Sequence, residues 1–136
     1  MSDEFSACLE KGKLKKQNLG ASASKKEMKE AENDLKSAEA SIYAKDWKWA
    51  TVQAYYAMFH ASRALVYEKG YREKSHYCLL IALKELFANS FSDQINSFED
   101  AMFAREEADY CASYSKEAAE MAVVGAKQFL SAARHL

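Results

Sequence analysis

No proline occurs in the 136 residues of this chain, although average usage of ~5% would supply about seven. Alanine, the strongest helix former, occurs 24 times and glycine only four times. Together these counts argue against a β-sandwich or barrel and for an all-helical fold. The length fits one domain whose core needs neither disulfides nor metals. Hydrophobic residues make up 49% and charged residues 29%, an ordinary globular balance. The net charge of −1 and a pI near 6.3 argue against a general nucleic-acid binder of histone type. They leave room for a local basic groove.

The three cysteines, Cys8, Cys78 and Cys111, are far apart and odd in number. Without a CxxC or His/Cys ligand spacing no metal site is expected, and the thiols read as reduced and mostly buried in a cytoplasmic protein. The opening Met1-Ser-Asp-Glu-Phe-Ser has no basic start or apolar run of a signal peptide. No stretch approaches ~18 apolar residues, so no membrane span is expected.

Residues 1–24 form a basic segment with Lys11, Lys13, Lys15 and Lys16, read as a short helix and linker. Residues 25–136 read as one bundle domain. Ser24 is the predicted N-cap of a first long helix to about Ala44, with Glu27 completing a capping box. Met28, Ala31, Leu35, Ala38 and Ile42 share one face of it. Asp46 is predicted to cap a second long helix, ended by Gly70 with positive φ. Trp49, Val52, Tyr56, Phe59, Arg63 and Val66 form one stripe on it, and Tyr55, Met58, Ser62 and Leu65 another. A helix apolar on two sides is packed on two sides and sits centrally. Ser75 starts a shorter third helix to about Asn89, and Ser92 a fourth. Ser115 starts the last, with a small-residue face of Ala118, Ala122, Gly125, Phe129 and Ala132. The expected architecture is an antiparallel up-and-down bundle of four main helices plus a short additional one.

Arg105 and Asp109 continue the apolar stripe of Ile95, Phe98 and Met102 on the fourth helix. They read either as a structural ion pair or as an anion-binding groove. His60, on the central helix, reads as a satisfied, half-buried histidine. His76 reads as part of a solvated loop, or with Arg72, Lys74 and the helix N-terminus as a phosphate site. Trp47, Trp49, Tyr55, Tyr56 and Phe59 form an aromatic cluster read as core. No GxSxG, HExxH, P-loop or GxGxxG is present in the sequence.

The run Ala54-Tyr55-Tyr56-Ala57-Met58-Phe59-His60-Ala61-Ser62-Arg63-Ala64-Leu65 resembles the "AYYAMFHAARALL" signature of prokaryotic HEPN-domain proteins. Gly70-Tyr71-Arg72-Glu73-Lys74-Ser75-His76 is similar to the family's "KGYRPKTH" turn, and Arg105-Glu106-Glu107-Ala108-Asp109-Tyr110 to its "R-x-x-ADY" segment. Glu10 to Lys16 also resembles the start of many members, so the likeness spans nearly the whole chain. The resemblance implies a helical bundle that forms a homodimer and acts beside a minimal nucleotidyltransferase, in a pair of toxin–antitoxin type. Many members are metal-independent endoribonucleases with an R-x4-6-H motif, whose Arg holds the scissile phosphate while the His acts on the 2′-OH or leaving group.

Here Arg105 fits the arginine, but Tyr110 stands where histidine is required, and a phenol of pKa near ~10 is a poor base at neutral pH. The first expectation is therefore a non-catalytic module that uses no cofactor. It binds a nucleotidyltransferase partner, or a nucleotide or RNA, through residues among Arg105, Asp109, Tyr110, His60, Arg63, Arg72, Lys74 and His76. The alternative is a metal-independent endoribonuclease with a degenerate R-x4-Y motif, Arg105 and Tyr110 being its catalytic candidates. A third reading is a pure protein-interaction bundle.

Overall fold

The computed structural model describes residues 2–111 and 114–136, the side chains of residue 88 and of residues 107–111 excepted. In chain order it forms α1 (Asp3–Glu10), β1 (Leu14–Lys16), α2 (Ala21–Tyr43), α3 (Trp47–Glu68), β2 (Tyr71–Glu73), α4 (His76–Cys111) and α5 (Lys116–Ala133).

α2 and α3 form the backbone of the bundle. The Asp46 carboxylate accepts the Trp49 N–H at 3.3 Å and starts α3 as expected. The contacts Ser41–Gln53, Glu27–His60 and Ser24–Glu68 descend one helix as they climb the other, so the pair is antiparallel. α3 packs against α2, α4 and α5; its Tyr55, Met58, Ser62 and Leu65 stripe is wholly buried and the other stripe partly so, with Phe59 and Val66 buried, which makes it the central helix. Trp49 departs from the expected core: it is half-exposed, with Lys48 5.4 Å from its ring centre. It lies in the first turn of α3, where the bundle no longer surrounds the helix.

Ser24 is not a cap. α2 begins four residues earlier, after Gly20 at φ 82°, because Ala21 to Ser24 are themselves helix-compatible. Ser24 is buried inside the helix, its hydroxyl 3.0 Å from both the Ala64 carbonyl and Glu68 Oε1. Glu27 is thereby released from a capping box to act across the α2–α3 interface.

The third and fourth helices are both present and meet at a kink at Phe91 (φ −149°, ψ 20°), so that they are numbered together as α4. The ion pair of Lys84 Nζ with Glu99 Oε2 at 2.9 Å shows how sharp this break is. Fifteen residues of straight helix would hold those side chains ~22 Å apart. The two arms therefore fold back on each other, and the break falls at Phe91, one residue before the expected Ser92 cap. Phe91 is buried, edge-on to Phe129 of α5 at 4.8 Å. Counting the arms separately, α2, α3, the longer arm of α4 and α5 are the four main helices of an all-α bundle.

The buried face of α5 is rotated by one position from the expected stripe. Ala119, Val123, Ala126, Phe129, Leu130 and Ala133 are inside. Ala118, Ala122 and Gly125 instead line a shallow apolar groove with Met58, Ala101 and Ala104. Both faces of α5 are rich in small residues, so size alone did not tell them apart.

The N-terminal segment contains a strand that the sequence reading did not place. β1 pairs antiparallel with β2, Leu14 facing Glu73, Lys15 facing Arg72 and Lys16 facing Tyr71. Phe5 and Leu14 are buried, and Phe5 packs edge-on to Tyr71 at 5.5 Å. Cys8 and Cys78 form a disulfide with Cα atoms 5.9 Å apart. The expectation of reduced thiols is overturned for these two. α1 packs beside the start of α4 and brings together residues 70 apart in sequence, which no local spacing reveals.

A bond closing a loop of this length is worth ~4 kcal/mol on chain-entropy grounds. Cys8→Ser is expected to lower the urea unfolding free energy by roughly 2–4 kcal/mol, and wild type in dithiothreitol is expected to match it. Oxidised wild type no more stable than the variant would contradict this.

Candidate functional site

The central helix presents Tyr55, Tyr56, Phe59, His60 and Arg63 over just over two turns. β2 then reverses the chain, and Ser75 caps α4 by accepting the Cys78 N–H at 3.0 Å. This cap sets His76 at the head of α4, above the aromatic residues of α3. The His76 ring lies 4.4 Å from Phe59, stacks on Tyr55 at 5.9 Å and meets Tyr56 edge-on at 6.3 Å. Its Nδ1 is 2.7 Å from the Tyr55 hydroxyl. His76 is therefore half-buried among rings, not part of a solvated loop.

The longer arm of α4 returns to the same place. Phe98 stacks on Tyr55 at 5.7 Å, and two turns later the Arg105 guanidinium carbon lies 5.4 Å from the Tyr55 ring centre and 5.2 Å from that of Tyr56. Arg105 and His76, 29 positions apart, thus converge on the faces of two adjacent tyrosines. A guanidinium beside aromatic rings combines cation–π attraction with N–H donors suited to an oxyanion.

The electrostatics follow from this packing. Burial first, then the positive charges of Arg105 and Arg63, hold the His76 pKa below its usual value. The imidazole is therefore neutral at neutral pH. Burial pushes the Tyr55 phenol well above its ordinary value, against the pull of Arg105, so Tyr55 keeps its proton. A neutral imidazole beside a cation can accept or donate a proton, and the cation can hold a phosphate.

Next to this cluster, His60 and Arg63 are already engaged. His60 Nδ1 is 2.6 Å from Glu27 Oε2, and its Nε2 is 3.6 Å from Asp34. Arg63 reaches Glu27 at 3.3 Å and Glu73 at 3.1 Å, with its guanidinium over Phe59 and Tyr67. Glu73 is buried beneath the ribbon, and burial raises its pKa against the opposing charge of Arg63. His60 is thus the satisfied, half-buried histidine expected, and Arg63 is a structural cation linking α3 to α2 and β2.

Of the eight site candidates, the structure brings Arg105 and His76 together and places His60 and Arg63 alongside. Arg72 and Lys74 are exposed on β2 and just after it. The side chains of Asp109 and Tyr110 lie outside the described residues. The sequence reading missed Tyr55 and Tyr56 as the surface that joins the histidine to the arginine. Their signal was present: two adjacent tyrosines on a helix apolar on both sides, followed 20 residues later by a histidine at a helix start. Residue type and spacing alone assign these rings to the core. Among the described residues no group of three or more His, Cys, Asp or Glu converges to hold a metal, and no helix is long and apolar enough to cross a membrane.

His76 is expected to titrate below 6.5 by NMR, and Arg105→Ala is expected to move that midpoint upward. The stability this neutral imidazole contributes is complete above the unfolded value and is lost as pH falls through the lowered folded one. A His76 midpoint unchanged in Arg105→Ala would show that the two side chains do not sense each other. Tyr55→Phe removes the 2.7 Å hydrogen bond and is expected to cost about 1 kcal/mol in chemical denaturation.

No curated protein sequence matches the chain closely enough to be called a relative. The family model for the HEPN domain matches residues 24–136, which takes in α3 with its tyrosine pair, His76 and Arg105. With five-sixths of its length matched, and the bundle arranged as described, the chain belongs to the HEPN-domain family.

Proposed function

We propose that this HEPN chain is an anion-binding module whose Arg105–His76 cluster takes the phosphate of a nucleotide or of RNA. It works in a toxin–antitoxin-like pair with a minimal nucleotidyltransferase as its partner. The observation that carries this reading is the convergence of Arg105 and His76 on the faces of Tyr55 and Tyr56. Homodimer formation belongs to the same proposal. The exposed Phe103, Met121 and Val124, on the helices that flank Arg105, supply apolar surface in its support.

One observation favours a second reading, a metal-independent endoribonuclease. The histidine absent five residues after Arg105 has a spatial substitute in His76. In that reading Arg105 holds the scissile phosphate. Neutral His76 accepts the 2′-hydroxyl proton as that oxygen attacks phosphorus, and the P–O5′ bond breaks with the 5′-oxygen taking a proton from solvent.

The test is fluorescein-labelled RNA in EDTA, followed by anisotropy and by gel, with wild type, Arg105→Ala and His76→Ala. The module reading expects intact RNA in every lane and at least tenfold weaker binding by Arg105→Ala, about 1.4 kcal/mol. Cleavage by wild type that both substitutions abolish would establish the endoribonuclease. Intact RNA with unchanged binding by Arg105→Ala would overturn both. Pull-down of a nucleotidyltransferase encoded beside this chain checks the partner.

A further inference from the structure

The β1–β2 ribbon carries a charge pattern that its fold does not require. Its inward face is set by Leu14 and Glu73, both buried, with Glu73 held by Arg63 at 3.1 Å. Because side chains alternate along a strand, Lys15 and Arg72 face each other on the outward side. The Lys74 N–H donates to the Lys13 carbonyl at 2.8 Å, which extends the ladder and sets Lys13 opposite Lys74 on that same side. Lys13, Lys15, Arg72 and Lys74 are all exposed. The outward face thus carries four cations in two like-charged cross-strand pairs, in a chain whose net charge is −1.

Like charges directly opposite one another destabilise a ribbon. Oppositely charged pairs would protect the sheet edge equally well and would attract across it. No ion pair among the described residues engages any of the four. The crowding is felt chemically: the neighbouring Lys15 ammonium first, and then the charges of Arg72 and Lys13, hold Lys74 below its usual pKa. The repulsion persists because the ribbon is fixed from beneath by Glu73 and at one side by the Cys8–Cys78 bond.

We infer that this outward face is a docking surface for the phosphodiester backbone of single-stranded RNA. Successive cations on a strand lie about 7 Å apart and the two strands about 5 Å apart, a compact grid of positive charge. The ribbon runs through Lys74 and Ser75 directly into His76, so a bound strand is led toward the Arg105–His76 cluster. Tyr77, half-exposed, lines a shallow groove with Lys11 and Lys13 and offers an aromatic face next to the cations, its hydroxyl donating to Glu4. Cations interleaved with an exposed ring suit single strands, whose bases stack on aromatics. Apart from Tyr77, the large exposed apolar side chains among the described residues, Tyr43, Trp49, Phe103, Met121, Val124 and Leu136, all lie off the ribbon, so a single ring and no apolar patch accompanies the charges. This inference rests on the phosphate-binding reading above and extends it to a second contact.

The experiment measures binding of fluorescein-labelled oligouridylate against salt. It compares wild type, the ribbon variant Lys13→Gln/Lys15→Gln/Arg72→Gln/Lys74→Gln, a control Lys25→Gln/Lys26→Gln/Lys29→Gln/Lys36→Gln on α2, and Arg105→Ala. Circular dichroism checks that each is folded. Each phosphate neutralised on a single strand contributes about −0.7 to the slope of log K against log salt. The ribbon variant is expected to lose about 3 from that slope, and the control, with the same change in net charge, less than about 1. Equal losses in both, or none in the ribbon variant, overturn the ribbon. Equal competition by polyglutamate overturns the assignment to RNA. Loss in Arg105→Ala with an unaltered ribbon variant leaves the cluster standing and the ribbon refuted. Loss in the ribbon variant with an unaltered Arg105→Ala does the reverse. A wild type that binds no RNA at low salt refutes both.

Discussion

Tyr55 is the residue on which the two halves of the molecule meet. Its ring is buried where α3 packs on α4, stacked on Phe98 from one arm and on His76 from the head of the other. Its hydroxyl fixes His76 through a single hydrogen bond, and its face carries Arg105. A phenol suits this place because it buries a large apolar area and still offers one polar atom to a partner. Phenylalanine would fill the volume and leave the imidazole free to turn. The sharp break at Phe91 matters for the same reason: without it, His76 and Arg105 would lie at opposite ends of one long rod.

The helices were legible wherever periodicity and capping worked together. Asp46 and Ser115 cap the helices that the sequence assigned them, and the spacing gives the faces of α2 and, from Ile95 to Met102, of the longer arm of α4. Signals failed where two readings share a residue type. Ser24 has the chemistry of a cap, yet a serine inside a helix can equally bond across an interface, and nothing local distinguishes the two. The small residues of α5 cover two faces, and which one is buried depends on partners far away in sequence.

The site was half legible. Arg105 stood out as a charge in an apolar stripe, and His76 as a histidine at a helix start. Their meeting depends on the fold-back of α4 and on the α3–β2 turn, both long-range consequences of packing. The ribbon and the disulfide share this character. Strands of three residues are too short for a period-two signal, and the two cysteines are joined only because α1 docks on α4.

Seen as a covalent graph, the Cys8–Cys78 bond turns β1, α2, α3 and β2 into a ring of chain. The linker from Gln17 to Gly20 and the turn from Ala44 to Asp46 both lie on that ring. A protease that cuts either of them opens the ring but releases nothing. The two pieces stay one molecule until a reductant arrives, so the redox state of the surroundings decides whether a nick is a scar or a severance.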